Sequence, residues 1–193
     1  MKTIVMDTSN QYLAIALYED DTLKENFQQT ALKQQSELAI PMLQELMEKQ
    51  GWQMKDVDEM VISLGPGSYT GVRIAMTIAK TLSVIMPIKI KAISSLAMIA
   101  GSQKAISVID ARGNKCYVGM YENKKALMED ALMENDAFEQ FKKEHLDFDV
   151  VSLHDELPIC KHLYELSKDC PYVEDCDALA PMYIKGVEAK KQC

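Results

Sequence analysis

The chain has 193 residues, 48% apolar and 26% charged, which suffices for one sizeable core or two small lobes. Its formal charge of −8 argues against a lone grip on an RNA or DNA backbone, because that grip depends on clustered Lys and Arg. No apolar run approaches bilayer length and the five cysteines form no CxxC pair, so the expectation is a reduced, cytoplasmic protein with no membrane role, disulfide framework or zinc site.

Three strands are predicted first: Thr3 to Met6, the alternating "YLAIALYE" from Tyr12 to Glu19, and Leu23 to Gln29, with Asp20 and Asp21 turning between the last two. This is an antiparallel meander. A helix follows from Gln34 to Lys49, then a strand ending at Leu64, a glycine turn, and a helix from Ser68 to Val84. Strand Ile88 to Ile93 and a short helix, Ser95 to Ile99, complete the order βββαβαβα. Helical crossovers make the later strands parallel, on a sheet whose first part is antiparallel.

The opening pattern then recurs. "IVMDTSNQYLAIALYEDD" and "SVIDARGNKCYVGMYENK" align without a gap, so that Asp7, Tyr18 and Glu19 return as Asp110, Tyr121 and Glu122, each 103 positions later. The fold class is therefore α/β with two duplicated lobes, each beginning as a meander on a mixed sheet. The expected lobes are 1–102 and a shorter 103–193. The second continues with helix Asn135 to Glu144, strand Phe148 to Leu153 and helix Ile159 to Lys168, and "APMYIKG" (Ala180 to Gly186) reads as a closing strand or docked tail.

An Asp at the carboxyl end of a strand, followed by Thr8 and Ser9, places a carboxylate and hydroxyls at the sheet edge where ligands of open α/β sheets sit. Two such turns would face each other across a cleft, with Asp7 and Asp110 holding magnesium through water and the amides of Thr8 and Ser9 reaching phosphates. The plainer alternative is that each Asp ends its strand and bonds its own turn. The turn Gly65, Pro66, Gly67, Ser68, Tyr69, Thr70, Gly71 fits neither GxxxxGK[ST] nor GxGxxG. Physically it is a tight turn with Ser68 or Thr70 capping a helix, whose start either receives an anion or approaches another backbone closely.

The helices on either side of that turn are apolar over more than one face. Met42 and Leu46 on the first, and Val72 and Met76 on the second, imply a burial surface beyond the core, against another subunit or against the second lobe. Catalytic groupings are thin. His145, His154 and His162 lack HExxH spacing, and Ser68 does not stand in GxSxG.

"IVMDTS", "LGPGSYTGVRIAMTIAK", "SSLAMIA", "DARGNKCYVGMY" and "PMYIK" resemble the TsaB (YeaZ) family, bacterial proteins of the actin-like ATPase superfamily required for threonylcarbamoyladenosine in tRNA. The likeness covers most of residues 1–121 and then only the tail. It implies actin-like, ribonuclease H-like lobes and a noncatalytic subunit that activates the catalytic paralogue TsaD. TsaC makes threonylcarbamoyl-AMP, TsaE joins the larger complex, and tRNA is met only indirectly. Pairing would use the two helices, with Met42, Leu46, Tyr69, Val72, Arg73, Met76 and Lys80 at the interface, and the free chain would homodimerise there. On this expectation Met76→Arg abolishes pairing and spares the fold.

Three departures from the family pattern stand out. Gln35-Ser36-Glu37 replaces His-Ser-Glu, Ala75 replaces a Gly after Arg73-Ile74, and Asp110-Ala111-Arg112-Gly113-Asn114-Lys115 replaces Asp-Ala-Arg-Arg-Gly-Glu. The last weakens a nucleotide cleft of Asp7, Thr8, Ser9, Asp110 and Arg112. The alternatives are an ATPase or phosphotransferase using Asp7 and Asp110 with ATP or ADP and magnesium, and a peptidase, after the historical glycoprotease label of the superfamily.

Overall fold

A computed structural model describes residues 1–184. Its first sheet has the order β3-β2-β1-β4-β5, formed by β1 (Lys2–Asp7), β2 (Tyr12–Glu19), β3 (Thr22–Thr30), β4 (Glu59–Ser63) and β5 (Lys89–Ile93). The first three are antiparallel, and β4 and β5 are parallel to β1. Strand β2 is buried over seven of its eight positions, because both faces of the sheet are covered. Ile4, Met6, Leu13 and Ile15 point into a core beneath α1 (Gln35–Lys49) and α2 (Tyr69–Ile85). Val5, Ala14, Ala16 and Val61 point the other way, toward α3 (Ser95–Ala100) and α5 (Ile159–Ser167).

The second sheet runs β10-β6-β7-β8, with β9 (Ala131–Glu134) also paired to β7. Strands β6 (Ala105–Asp110) and β7 (Lys115–Glu122) are β1 and β2 moved 103 places on. The counterpart of β3 is split into β8 (Lys125–Ala126) and β9, and β10 (Asp149–Ser152) lies parallel to β6 as β4 does to β1. Helix α4 (Asn135–Glu144) covers one face through Phe138, while Leu96 and Ala100 of α3 meet the other. The layers are thus α1 and α2, first sheet, α3 and α5, second sheet, α4.

One detail departs from the sequence reading, and one of its alternatives is decided. Helix α5, placed by sequence in the second lobe, packs on the first sheet with Ile159, Cys160, Leu163 and Tyr164 buried. Residues 180–184 form no strand; the segment is a docked tail, tied by the Met182 amide to the Leu64 carbonyl at 2.9 Å. Lys185 and Gly186 lie outside the described residues.

Candidate functional site

The glycine turn presses on the first Asp turn. A Cβ at Gly67 would lie 2.3 Å from the Ser9 carbonyl oxygen, and one at Gly71 would lie 2.1 Å from that of Thr8. Only residues without side chains permit this approach. The Ser68 amide donates to the Ser9 carbonyl at 2.7 Å, and Ser68 Oγ caps α2 by accepting from the Gly71 amide at 3.2 Å. Thr8 goes further: its hydroxyl donates to the Gly71 carbonyl at 2.7 Å and accepts from the Ala75 amide at 3.1 Å. The hydroxyl is therefore inserted between two groups that an α-helix would join directly. Exposed Thr70 takes no part in capping.

Asp7 is fully buried and accepts from Ser63 Oγ, the Ser9 amide and Asn10 Nδ2. Burial raises its carboxyl pKa, and those hydrogen bonds oppose the shift. The Asp7 carboxylate, the Ser9 amide and the Thr8 hydroxyl are thus already bonded within the protein. Sequence reasoning missed Ser63 and Asn10; an Asn three places after a turn Asp was the available signal for the latter.

Asp110 is exposed and accepts from the amide of Arg112 in its own turn at 2.8 Å. It lines a cavity of about 260 Å³ together with Ser9, Asn10, Pro66 and Ser152; Asp7 and Arg112 do not line it. The two turns are also not equivalent. Asp7 stands opposite Ala14, so a copy at constant offset would set Asp110 opposite Tyr117, whereas it stands opposite Cys116. That one-residue slip turns β6 over relative to β7. With one acid enclosed, no Lys or Arg among the described residues on the cavity wall and the acids on non-equivalent faces, those described residues do not form a donor set that suits a magnesium–nucleotide pair. Among the described residues no group of three His, Cys, Asp or Glu is placed to hold a metal ion.

The helix pair needs correction residue by residue. Leu46, Val72 and Met76 are core residues at 3%, 4% and 4% exposure, not surface anchors. Their side chains fill the space between α1, α2 and the sheet, so Met76→Arg would bury a charge rather than spare the fold. Met42 is half-buried against the same core. The tail covers one flank of α2, and Lys80 Nζ donates to the carbonyls of Asp177 and Leu179 at 3.0 and 3.1 Å. What stays open is an apolar groove of about 310 Å³ between α1 and α2, lined by Ile40, Leu43, Met47, Trp52, Met54 and Leu82. Beyond it Val84 and Ile85 project from the end of α2. At the opposite end Tyr69 and Arg73 are exposed beside Tyr183 of the tail.

Two duplicated βββαβ units in five layers define a protein of the actin-like, ribonuclease H-like class. The model of the TsaD family, tRNA N6-adenosine threonylcarbamoyltransferase, matches residues 26–152. The Bacillus subtilis (strain 168) tRNA threonylcarbamoyladenosine biosynthesis protein TsaB is 37% identical over 134 residues, covering 67% of this chain and 58% of that one. The Escherichia coli (strain K12) TsaB is 27% identical over 129 residues, covering 63% and 55%. The matched stretch thus spans little more than half of these relatives. Among solved structures, YeaZ from Pseudomonas aeruginosa superposes with a TM-score of 0.75 at 18% identity, covering 94% of this chain and 99% of that one. A second structure, of a protein with similarity to peptidase YEAZ from Pseudomonas aeruginosa, gives 0.78 at 20% identity, covering 95% and 99%. The chain belongs to the TsaD-like family, in its TsaB (YeaZ) branch.

Proposed function

We propose that this chain serves tRNA threonylcarbamoyladenosine biosynthesis as a noncatalytic activating subunit, binding a TsaD-type catalytic paralogue through the exposed parts of α1 and α2. The observation that carries the reading is the contrast between its two candidate sites. Asp7, Thr8 and Ser9 are enclosed and hydrogen-bonded within the fold, while Ile40, Val84 and Ile85 leave apolar surface open around the helix groove. Open apolar surface of this kind is what a protein partner covers. TsaE joins the assembly, and tRNA is held by the partner, in keeping with a charge of −8 on this chain.

The test is reconstitution of tRNA threonylcarbamoylation from the same organism's TsaC, TsaD and TsaE, with this chain present or omitted. Strict dependence is expected. Full activity without it would leave the family's fold but not the proposed role. Calorimetry with ATP and magnesium tests the ATPase alternative, for which binding lost in Asp7→Ala would be the positive result.

A further inference from the structure

Arg73 stands in an unusual setting for an exposed arginine. Its guanidinium carbon lies 4.0 Å from the centre of the Tyr69 ring and 5.7 Å from that of Tyr183, and its Nε donates to the Tyr183 hydroxyl at 2.9 Å. The two rings are 5.8 Å apart. Tyr69 belongs to the first turn of α2 and Tyr183 to the tail, 110 residues beyond Arg73. The tail is itself held at Met182 by the Leu64 carbonyl. The side chain is therefore fixed from two separate elements, and no carboxylate pairs with it among the described residues.

Fixing a long side chain before association removes part of the ordering entropy that binding would otherwise cost. Tyr and Arg are also the residue types in which interface binding energy concentrates. Helix α2 carries Arg73 and Lys80 and no Asp or Glu, on a chain whose formal charge is −8. Lys80 is turned onto tail carbonyls, which leaves Arg73 as the outward cation of the helix. A second copy docked on this helix by a twofold axis would bring like charges together, so charge favours a different partner with an acidic surface.

We infer that Arg73, held between Tyr69 and Tyr183, is the specificity anchor of the α2 surface and receives a carboxylate from the partner protein. The inference rests on the proposed pairing through α1 and α2, and it makes the tail part of the recognition surface.

The experiment measures affinity for the TsaD-type partner at two salt concentrations, for the parent chain and for Arg73→Ala, Arg73→Glu, Tyr183→Phe and Ile40→Asp, with folding checked by circular dichroism. Arg73→Ala should weaken binding about tenfold and flatten the salt dependence of the parent, whereas Arg73→Glu should weaken it about a hundredfold at low salt and shift that dependence toward binding that strengthens with salt. Tyr183→Phe, which removes only the hydroxyl that fixes Nε, should weaken binding about threefold. An Asp or Glu to Arg change on the partner should restore binding of Arg73→Glu. If both Arg73 variants bind within twofold of the parent with the same salt dependence while Ile40→Asp does not bind, the anchor is overturned and the helix surface stands. If all the variants bind like the parent, surface and anchor fall together. Loss in the Arg73 variants alone supports the anchor and removes the groove from the interface. Should light scattering show that Arg73→Glu chiefly disrupts self-association, the occupant is a second copy and the inference fails.

Discussion

Gly71→Ala is the most direct test of the reading that the glycine turn serves close backbone packing. The added Cβ would sit 2.1 Å from the Thr8 carbonyl oxygen, where ordinary contact begins at 3.4 Å, so β1 and α2 must separate by about 1.3 Å. Three hydrogen bonds span that gap: Ser68 amide to Ser9 carbonyl, Thr8 hydroxyl to Gly71 carbonyl, and Ala75 amide to Thr8 hydroxyl. Overpacking of this kind costs about 2 kcal/mol, and losing two of the bonds about 2 more. Against this, alanine in a helix gains about 1 kcal/mol over glycine. The net loss is about 3 kcal/mol, or about 6–12 °C in Tm for a chain of this size. Urea unfolding followed by the fluorescence of the single, buried Trp52 measures it. Gly51→Ala is the control: its Cβ would meet nothing within 4 Å, and only its φ of +66° is strained, at about 1 kcal/mol. A Gly71→Ala chain as stable as Gly51→Ala would refute the reasoning.

Other outcomes follow from the same contacts. Thr8→Val keeps the shape and removes the inserted hydroxyl, so it should lose about 1–2 kcal/mol while Thr8→Ser loses less; equal losses would assign the role to the methyl group. Met76→Arg places a charge in the core and should cost about 4 kcal/mol or more, seen as aggregation or lost circular dichroism. A folded, soluble Met76→Arg chain would return that residue to the surface. Burial pushes the Cys160 thiol well above its usual pKa, so its thiolate fraction stays low until higher pH than for a free cysteine. Mass spectrometry after iodoacetamide at about pH 8 should find Cys160 unmodified in the native chain and modified in urea.

Much of the architecture was legible because the signals were local. Alternation in β2, the Ser68 cap and the recurrence of β1 and β2 as β6 and β7 each follow from short stretches, and the structure places them within a residue or two of expectation. Face assignments were less legible, since they depend on what packs where. An apolar circumference on α2 read as surface plus core, yet Val72 and Met76 fill the core and the tail covers a flank. The match of Asp7 to Asp110 was real in sequence but not in hydrogen-bond register, because the Arg112-Gly113-Asn114 turn, with φ values of 59°, 64° and 61°, closes the second hairpin one residue earlier. No ungapped alignment can show such a slip.

The same contacts explain why a glycine turn pressed against the first Asp turn is exacting in its residues. Thr8 ties the first turn of α2 to the end of β1, and Lys80 and Arg73 tie the outer side of the helix to the tail. A helix fixed at its start and along one flank presents its remaining surface in one orientation, so less order is lost when a partner arrives. Loosening the turn should therefore weaken association even when the exposed residues are unchanged. Gly67→Ala, whose Cβ would lie 2.3 Å from the Ser9 carbonyl oxygen, is the variant that separates the two effects. It alters no partner-facing side chain. Reduced affinity in a chain still folded at the assay temperature would show that α2 must be held in place to be recognised, and parent-like affinity would show that the helix finds its orientation on the partner instead.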